Sequence, residues 1–236
     1  MKHIIDFHSH ILPGIDDGSK NTAMSRKMLD SCAEQGVTIQ IATPHFYANH
    51  MQPEDFLRNR QAAYEKVVDY AGEKEISLLC GAEVAFFRSI GYSEILDEMT
   101  ISDTRLLLLE MPFREWTSRD LKEVELLLRR GIHPIIAHIE RFYSFQSDKG
   151  IIDDLIDMPV TIQVNAEALL SWRTRGKMLK LFRTQQAQLL GSDCHNLTSR
   201  PPNLQQGREV LEKKLGQAQL QEIDTLGMQL LKKYHR

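Results

Sequence analysis

Three polar side chains alternate in the segment DFHSH, close to the start of the chain. Asp6, His8 and His10 are each separated by one residue, and apolar residues precede them. Side chains of an extended segment alternate between its two faces, so all three would point to one side. Because imidazole and carboxylate groups both bind metal ions, this segment is a candidate part of a metal site.

Further histidines and carboxylates stand where other apolar runs end. They are His45 in ATPHF, Glu83 in GAEV, Glu110 in LLLLEM, His138 in IIAHIER, and Asp193 and His195 in GSDCH. A lone histidine is usually structural, but burying this many titratable groups together without a cation would cost many kcal/mol. With Asp17 added, the set holds more ligands than one ion needs. The sequence therefore predicts a site for more than one metal ion.

The donor types narrow the choice of metal and the chemistry. Imidazole and carboxylate ligands without an evident thiolate suit manganese, iron or zinc, and they disfavour a soft-metal site or an all-oxygen calcium site. A multinuclear site of this kind lowers the pKa of bound water to about 7 and contacts both the attacking and the leaving oxygen of a displacement at phosphorus.

Cysteine offers a competing chemistry. Cys32, Cys80 and Cys194 are widely separated and form no paired motif, so neither a disulfide framework nor a zinc knuckle follows from them. Cys194 and Arg200 do match the Cys-x5-Arg spacing of thiol-based tyrosine phosphatases. However, the loop between them lacks glycine, and a neighbouring carboxylate, Asp193, would raise the thiol pKa. The thiol mechanism is therefore disfavoured.

Seven short runs rich in Val, Ile and Leu are predicted to be the strands that carry these residues. They cover residues 3–7, 37–43, 76–84, 105–111, 133–139, 160–166 and 187–193. Several are almost continuously apolar, which is typical of parallel strands covered on both faces. In a closed barrel the carboxyl ends of such strands meet at one mouth, where these folds build their active sites.

Helical patterns separate the runs. Residues 22–36 end in Gly36, residues 118–131 begin with a capping Ser118 and end in Gly131, and residues 53–74 and 203–216 have apolar side chains three and four apart. Shorter helices are predicted at 92–99, 150–158 and 175–183, and a C-terminal helix from residue 220 would dock on the barrel. The alternation of strand and helix predicts an α/β barrel or a doubly wound parallel sheet.

Composition excludes several classes of protein. The 236 residues are 42% hydrophobic, which is enough for one substantial core, so residues 1–236 are expected to form a single domain. The net charge is -3 and no long basic block is present, so nucleic acid is not an expected partner. No signal peptide or membrane-spanning run is evident, so we expect a cytoplasmic protein without membrane insertion.

Five motifs in this order resemble a known family. DFHSHILPGIDDG, ATPH, GAEV, HIER and SDCHN, spread over nearly the whole chain, are similar to the PHP (polymerase and histidinol phosphatase) superfamily. Within it, HxHILPGIDDG together with ATPH resembles the bacterial protein-tyrosine phosphatases of capsular and exopolysaccharide synthesis. The resemblance implies a single-domain distorted (β/α)7 TIM-like barrel, the PHP fold. It also implies hydrolysis of phosphotyrosine without a cysteine intermediate.

The resemblance also assigns roles to residues. It implies three ions per chain, usually manganese, with iron, zinc, cobalt or magnesium as alternatives. The implied metal ligands are His8, His10, Asp17, His45, Glu83, Glu110, His138, Asp193 and His195. Arg141 and Arg200 are implied to hold the phosphate, a role that suits the guanidinium fork. The implied partner is a tyrosine-phosphorylated protein, the tail of a bacterial tyrosine autokinase that controls polysaccharide synthesis.

Other functions and other roles stay open at this stage. The same ligands would serve a histidinol-phosphate-type small-molecule phosphatase or a phosphodiesterase, and a non-catalytic metal-binding scaffold is the alternative of another class. Asp6 is either a ligand or an acceptor for the distal N–H of a ligating histidine. Asp16 and Asp17 are adjacent in DDG and could both be turn residues, and the resemblance favours Asp17 as the ligand. Four loop aromatics could stack on a phenyl ring, namely Phe46, Tyr47, Trp116 and Trp172.

Overall fold

The computed structural model describes residues 3–235 and contains nine strands, all paired in parallel. They are β1 (Ile5–Ser9), β2 (Ile39–Ala42), β3 (His45–Phe46), β4 (Ser77–Cys80), β5 (Glu83–Ala85), β6 (Leu106–Glu110), β7 (His133–Ile136), β8 (Thr161–Asn165) and β9 (Leu189–Gly191). The third predicted strand, residues 76–84, is divided into β4 and β5. The second, residues 37–43, corresponds to β2, and β3 follows beyond its end.

The strands form a ring. One sheet has the order β1-β2-β4 and the other β3-β5-β6-β7-β8-β9. Beyond the end of β9, the Asp193 N–H donates to the His8 carbonyl (2.8 Å) and the His10 N–H donates to the Cys194 carbonyl (2.9 Å). These bonds join the last strand to the first. The fold is therefore the expected distorted barrel.

Ten helices within residues 3–235 alternate with the strands. They are α1 (Thr22–Glu34), α2 (Pro53–Glu65), α3 (Val68–Glu73), α4 (Leu96–Met99), α5 (Ser118–Arg129), α6 (Gly150–Ile156), α7 (Ala166–Leu170), α8 (Arg175–Arg183), α9 (Leu204–Leu215) and α10 (Gln217–Lys233). Short 3₁₀ helices occupy Ile90–Tyr92 and Ile139–Ser144. None of the helices in this part of the chain combines the length and the apolar character needed to cross a membrane.

Two sequence expectations about helices are corrected. The single helix predicted over residues 53–74 is divided at Lys66 and Val67, and the break places the fully buried Val67 in the core. Helix α5 is capped by Thr117 and not by Ser118, because Thr117 and Asp120 form a reciprocal capping box. In contrast, Gly36 and Gly131 do follow α1 and α5 with the left-handed φ of 76° that favours glycine after a helix.

Two apolar clusters hold the barrel together. The larger one packs helices against the outside of the sheet. The smaller one joins strands from opposite sides of the ring, such as β1 and β6, to the side chains of α10. Helix α10 therefore docks at the amino-terminal end of the barrel, where the Arg105 N–H donates to the Tyr234 carbonyl (2.8 Å) and His133 stacks on the Tyr234 ring. This leaves the opposite end, the mouth, to the polar residues.

Candidate metal centre

The carboxyl ends of the strands bring all nine predicted ligands together at the mouth. His8 lies in β1 and His10 just beyond it, Glu83 begins β5, and Glu110 ends β6. The remaining residues begin or follow other strands. Four overlapping groups, each with ligand atoms within 4.8 Å of one another, are His10–Asp17–His45–His195, His8–His10–Asp193, His8–Glu83–His138 and His45–Glu83–Glu110.

Glu83 lies at the centre of the histidines and is almost completely buried. Its Oε2 atom is 3.2 Å from the Nε2 atoms of both His8 and His10, and its Oε1 atom is 2.8 Å from His138 Nε2. Burial acts to raise the pKa of this carboxyl. The charge of His8 and the close contacts with His10, His138 and His45 outweigh burial and hold the pKa of Glu83 well below its usual range. Glu83 is therefore ionised and able to bridge cations.

Asp193 is a second buried carboxylate at the mouth. Its Oδ1 atom is 3.5 Å from His8 Nε2 and 3.4 Å from His10 Nε2. Burial acts to raise the pKa of this carboxyl, but the charge of His8 and the hydrogen bond with His10 outweigh it, so the pKa of Asp193 is well below its usual range.

Asp193 has a φ of 53° and His138 a φ of 31°. Left-handed backbone is uncommon outside glycine and clusters at functional sites.

Asp17 closes the outer side of the cluster. Its side chain is 67% exposed, and its Oδ1 atom is 3.3 Å from His195 Nε2 and 3.5 Å from His45 Nε2. Asp17 faces solvent, whereas His195 and Glu83 are buried. The group of Asp17, His45 and His195 therefore lies at the entrance, and Glu83 lies below it. Asp17, rather than Asp16, therefore presents its carboxylate to the histidine rings on the entrance side.

Asp16 and Asp6 have roles other than those first considered. Asp16 Oδ2 lies 2.7 Å from Nδ1 of His10 and accepts the His45 N–H at 3.0 Å, so it orients His10 and is more than a turn residue. Among the described residues, Asp6 has no histidine ring as a partner and belongs to none of the ligand groups, so neither of the two roles considered for it is observed. It accepts the backbone N–H and the hydroxyl of Ser192 (2.8 and 2.6 Å), which ties β1 to the segment after β9.

The donor geometry fits metal ions better than it fits hydrogen bonds. His45 Nδ1 and Glu83 Oε2 are 2.9 Å apart, yet neither buried atom makes a hydrogen bond of acceptable geometry with any residue in the range 3–235. The buried His195 Nε2 atom is also without one. Buried polar atoms are normally paired, so several unpaired ligand atoms facing one another indicate that a cation belongs between them.

Arg141 and Arg200 both lie at this site. Arg141 Nη2 is 2.5 Å from Asp193 Oδ2, and Arg200 Nη2 is 2.6 Å from Asp193 Oδ1. Both guanidiniums are about one-third exposed, so each faces the carboxylate on one side and solvent on the other. This position suits a group that would contact an anion entering the mouth.

Cys194 is directed away from the mouth. Its side chain is completely buried in the larger apolar cluster, where it hydrogen-bonds with Cys32. That hydrogen bond, together with burial, raises the pKa of Cys32 well above its ordinary value. A completely buried Cys194 thiol cannot reach a phosphate at the mouth, so the structure gives no support to a cysteine nucleophile.

The aromatic residues at the mouth differ partly from those expected. Phe46 and Trp116 are buried in the core, so they cannot receive a phenyl ring. Tyr47 stacks on the ring of His45 with centroids 5.2 Å apart, whereas Trp172 is exposed and contacts Arg173. The sequence reasoning missed Phe113, which is 45% exposed and stacks on His138 at 6.2 Å. Its position three residues after Glu110 was the available signal.

Comparison with known proteins gives consistent matches over nearly the whole chain. The family model described as capsular polysaccharide synthesis, CpsB/CapC, matches residues 4–230. Tyrosine-protein phosphatase CpsB of Streptococcus pneumoniae is 28% identical over 235 residues, covering 93% of this chain and 94% of that protein. Tyrosine-protein phosphatase YwqE of Bacillus subtilis is 29% identical over 226 residues, covering 90% and 85%.

Solved structures agree on the fold. A structure from the work on YwqE of Bacillus subtilis and CpsB of Streptococcus pneumoniae, described as unique metal-dependent tyrosine phosphatases, superposes with a TM-score of 0.85 at 24% identity, covering 98% of this chain and 95% of that one. The phosphotriesterase homology protein of Escherichia coli, solved with phosphate in its active site, gives a TM-score of 0.55 at 12% identity, with 94% of each chain covered. At these identities the likeness establishes the barrel alone.

Proposed function

The chain belongs to the CpsB/CapC family of capsular polysaccharide synthesis proteins, and on this basis we propose that it is a metal-dependent phosphatase that hydrolyses phosphotyrosine in a protein. The observation that carries the proposal is the cluster of nine ligand residues beside two half-buried arginines. The curated relatives named above are tyrosine-protein phosphatases, which supports the choice of substrate.

In this proposal the nine residues hold three manganese ions, with iron, zinc, cobalt or magnesium as substitutes. The four overlapping ligand groups share His8, His10, His45 and Glu83, as a site for several adjacent ions requires. When bound, the ions would activate water for attack on phosphorus and offset the negative charge of the phosphate. Asp16 would keep the His10 ring oriented by its hydrogen bond to Nδ1.

Arg141 and Arg200 would bind the phosphate group. Their guanidiniums flank Asp193 at the entrance, and each has donor groups to share with an incoming anion. Donors fixed in a half-buried position stabilise the charge that builds on phosphate oxygens during the displacement. Because a phenolate has a pKa of about 10, it leaves more readily than an alkoxide, and a strong general acid is not required.

The proposed partner is the phosphorylated tail of a bacterial tyrosine autokinase that controls capsular or exopolysaccharide synthesis, and we place the reaction in the cytoplasm. The family description links the chain to polysaccharide synthesis. Residues 1–236 would act as one domain, since ligands from His8 to His195 contribute to a single site.

The test compares two neighbouring substitutions in the purified protein. Asp193→Asn should lower phosphate release from a phosphotyrosine peptide by at least about 100-fold, because it removes a ligand charge from the centre. Cys194→Ser should retain activity within about threefold, because a buried thiol takes no part. The opposite pattern, an active Asp193→Asn and an inactive but folded Cys194→Ser, would contradict the proposal.

A further inference from the structure

A large open cavity lies beside the mouth, between helix α5 and the segment that follows β5. Its volume is about 920 Å³, which is within the range of ligand-binding clefts. Some of the residues that line it lie close in sequence to candidate metal ligands. Phe86 lines the cavity three residues after Glu83, and its N–H donates to the carbonyl of Glu110 at 2.8 Å. The segments that follow Glu83 and Glu110 therefore lead from the candidate metal centre to the lining of the cavity.

The lining of this cavity carries more positive than negative charge. It has four cationic side chains, Arg88, Arg114, Arg119 and Lys122, and two acidic ones, Asp120 and Glu123. Both carboxylates already have partners in the fold. Asp120 forms a two-point contact with Arg114 (2.7 and 2.8 Å), and Glu123 accepts the Gly91 N–H at 2.9 Å. Arg114 therefore offsets the charge of Asp120, and the three other cations of the lining outnumber the remaining acid, Glu123.

Two of the cations have no partner of their own. Arg114 is paired with Asp120, and Lys122 lies 3.1 Å from Glu125. Arg88 and Arg119 are exposed and form no ion pair or side-chain hydrogen bond with any residue of the described range 3–235. The cavity thus presents two free guanidinium groups, each with donors suited to a carboxylate.

Apolar side chains also line the cavity. Phe86, Phe87 and Leu126 are partly buried, and Tyr92 is 70% exposed. Apolar surface with a few polar groups is typical of sites that bind an extended peptide, since alternate side chains can pack on it while others reach the charged rim. A small anion would use the arginines but would leave this apolar surface uncovered.

We propose that this cavity binds the peptide segment next to the phosphotyrosine, and that Arg88 and Arg119 select acidic side chains in that segment. The inference rests on the proposed phosphatase function. The phosphotyrosine of the substrate enters the mouth. The substrate residues next to it lie along α5, with aspartate or glutamate side chains opposite the two free arginines. Opposite charges placed in this way favour the correct partner and speed its association.

The test uses two phosphotyrosine peptides that differ only at flanking positions, one with Asp and Glu and one with Asn and Gln. The metal-loaded wild-type protein should hydrolyse the acidic peptide with a kcat/KM about tenfold higher, and added salt should reduce the difference. In Arg88→Ala/Arg119→Ala the ratio should fall to about one, because the selective charges are gone. The matched control, Arg173→Ala, removes an exposed arginine outside the cavity and should keep the ratio.

Two outcomes would overturn the inference: equal kcat/KM values for both peptides in the wild-type protein, or an unchanged ratio in the double variant. Hydrolysis of p-nitrophenyl phosphate by the same wild-type preparation separates these results from failure of the proposed function. If that substrate is turned over while the two peptides are hydrolysed equally, only the selection of acidic segments is wrong. If a metal-loaded protein hydrolyses none of the three substrates, the phosphatase proposal itself is wrong.

Discussion

Phe113 provides an apolar surface at the otherwise polar mouth. Its ring is nearly parallel to that of His138 (22° between planes) and is backed by Phe142 and Phe145. A phenyl ring stacked on Phe113 would gain about 0.5–1.5 kcal/mol beyond simple burial. Phe113→Ala should therefore lower kcat/KM for a phosphotyrosine peptide by about tenfold and for the matching phosphoserine peptide by much less.

Steady-state kinetics with both peptides would check this prediction, and Trp172→Ala is the matched control. Trp172 is the more exposed aromatic residue but has no stacking contact with a candidate ligand. An equal loss with the two peptides in Phe113→Ala would show that the ring does not recognise the aryl group.

His133, at the amino-terminal end of the barrel, makes the stability of the folded protein depend on pH. Burial, reinforced by the charge of Lys233, lowers its pKa from 6.5 to about 4. The unfolded chain therefore takes up a proton between pH 6.5 and about 4 that the folded protein does not, so stability is complete above this window and falls as pH decreases through it. Between pH 7 and 4.5, wild type should lose about 2 kcal/mol more than His133→Gln. Urea unfolding of chelator-treated proteins would measure this, and equal losses would refute it.

The aspartates show which features of the site can be predicted from residue types and spacing and which cannot. Alternation in DFHSH correctly predicted that His8 and His10 share a site, because it depends only on extended backbone. It could not predict that Asp6 would bind Ser192, since that contact depends on how β1 meets the far end of the chain. The turn that brings Asp16 back to His10 is likewise a tertiary feature.

Strand β9 illustrates a constraint at the scale of elements. A Cβ atom at Gly191 would lie 2.7 Å from both His8 Cβ and Gln163 Nε2, so only glycine allows β9 to approach its neighbours this closely. Gly191→Ala should destabilise the protein by about 1–3 kcal/mol and should also weaken metal binding by displacing His8. Urea denaturation and metal titration would test the two effects.

Gly176 in α8 is the matched control for that substitution. A Cβ atom there would meet nothing within 4 Å, and its φ is not left-handed. Gly176→Ala should therefore stabilise the protein by up to about 1 kcal/mol, because alanine loses less backbone entropy in a helix. Equal stability changes in the two variants would show that close packing at β9 is not the determining factor.

Element types were predictable from the sequence, but their interruptions were not. The apolar runs marked every strand except β3 at least in part, because strands covered on both faces are continuously apolar. Residues 81–82 divide the third run, and the piece β3 begins beyond the end of the second run, so the sequence reasoning predicted neither the division nor the additional piece. Both breaks position candidate metal ligands, since His45 and Glu83 begin the strand pieces that follow them.

The candidate metal centre forms only when the whole barrel is closed. Its ligands come from both ends of the chain, and the ring must close between β1 and the segment after β9 before His8 can meet Asp193. Parallel strands with polar carboxyl ends predicted this convergence, because every strand end in such a barrel faces one mouth. The cavity along α5 and its charge were not predictable. They depend on how the helices pack and on which arginines remain unpaired after folding.

The most direct test is to measure the metal content of the purified protein together with p-nitrophenyl phosphate hydrolysis, each with and without chelator and added manganese. We predict more than one ion per chain, activity that is lost with chelator and activity that manganese restores, because the clustered ligands require cations both for charge balance and for chemistry. Metal-free protein whose activity persists in chelator and is lost on thiol alkylation would contradict the account.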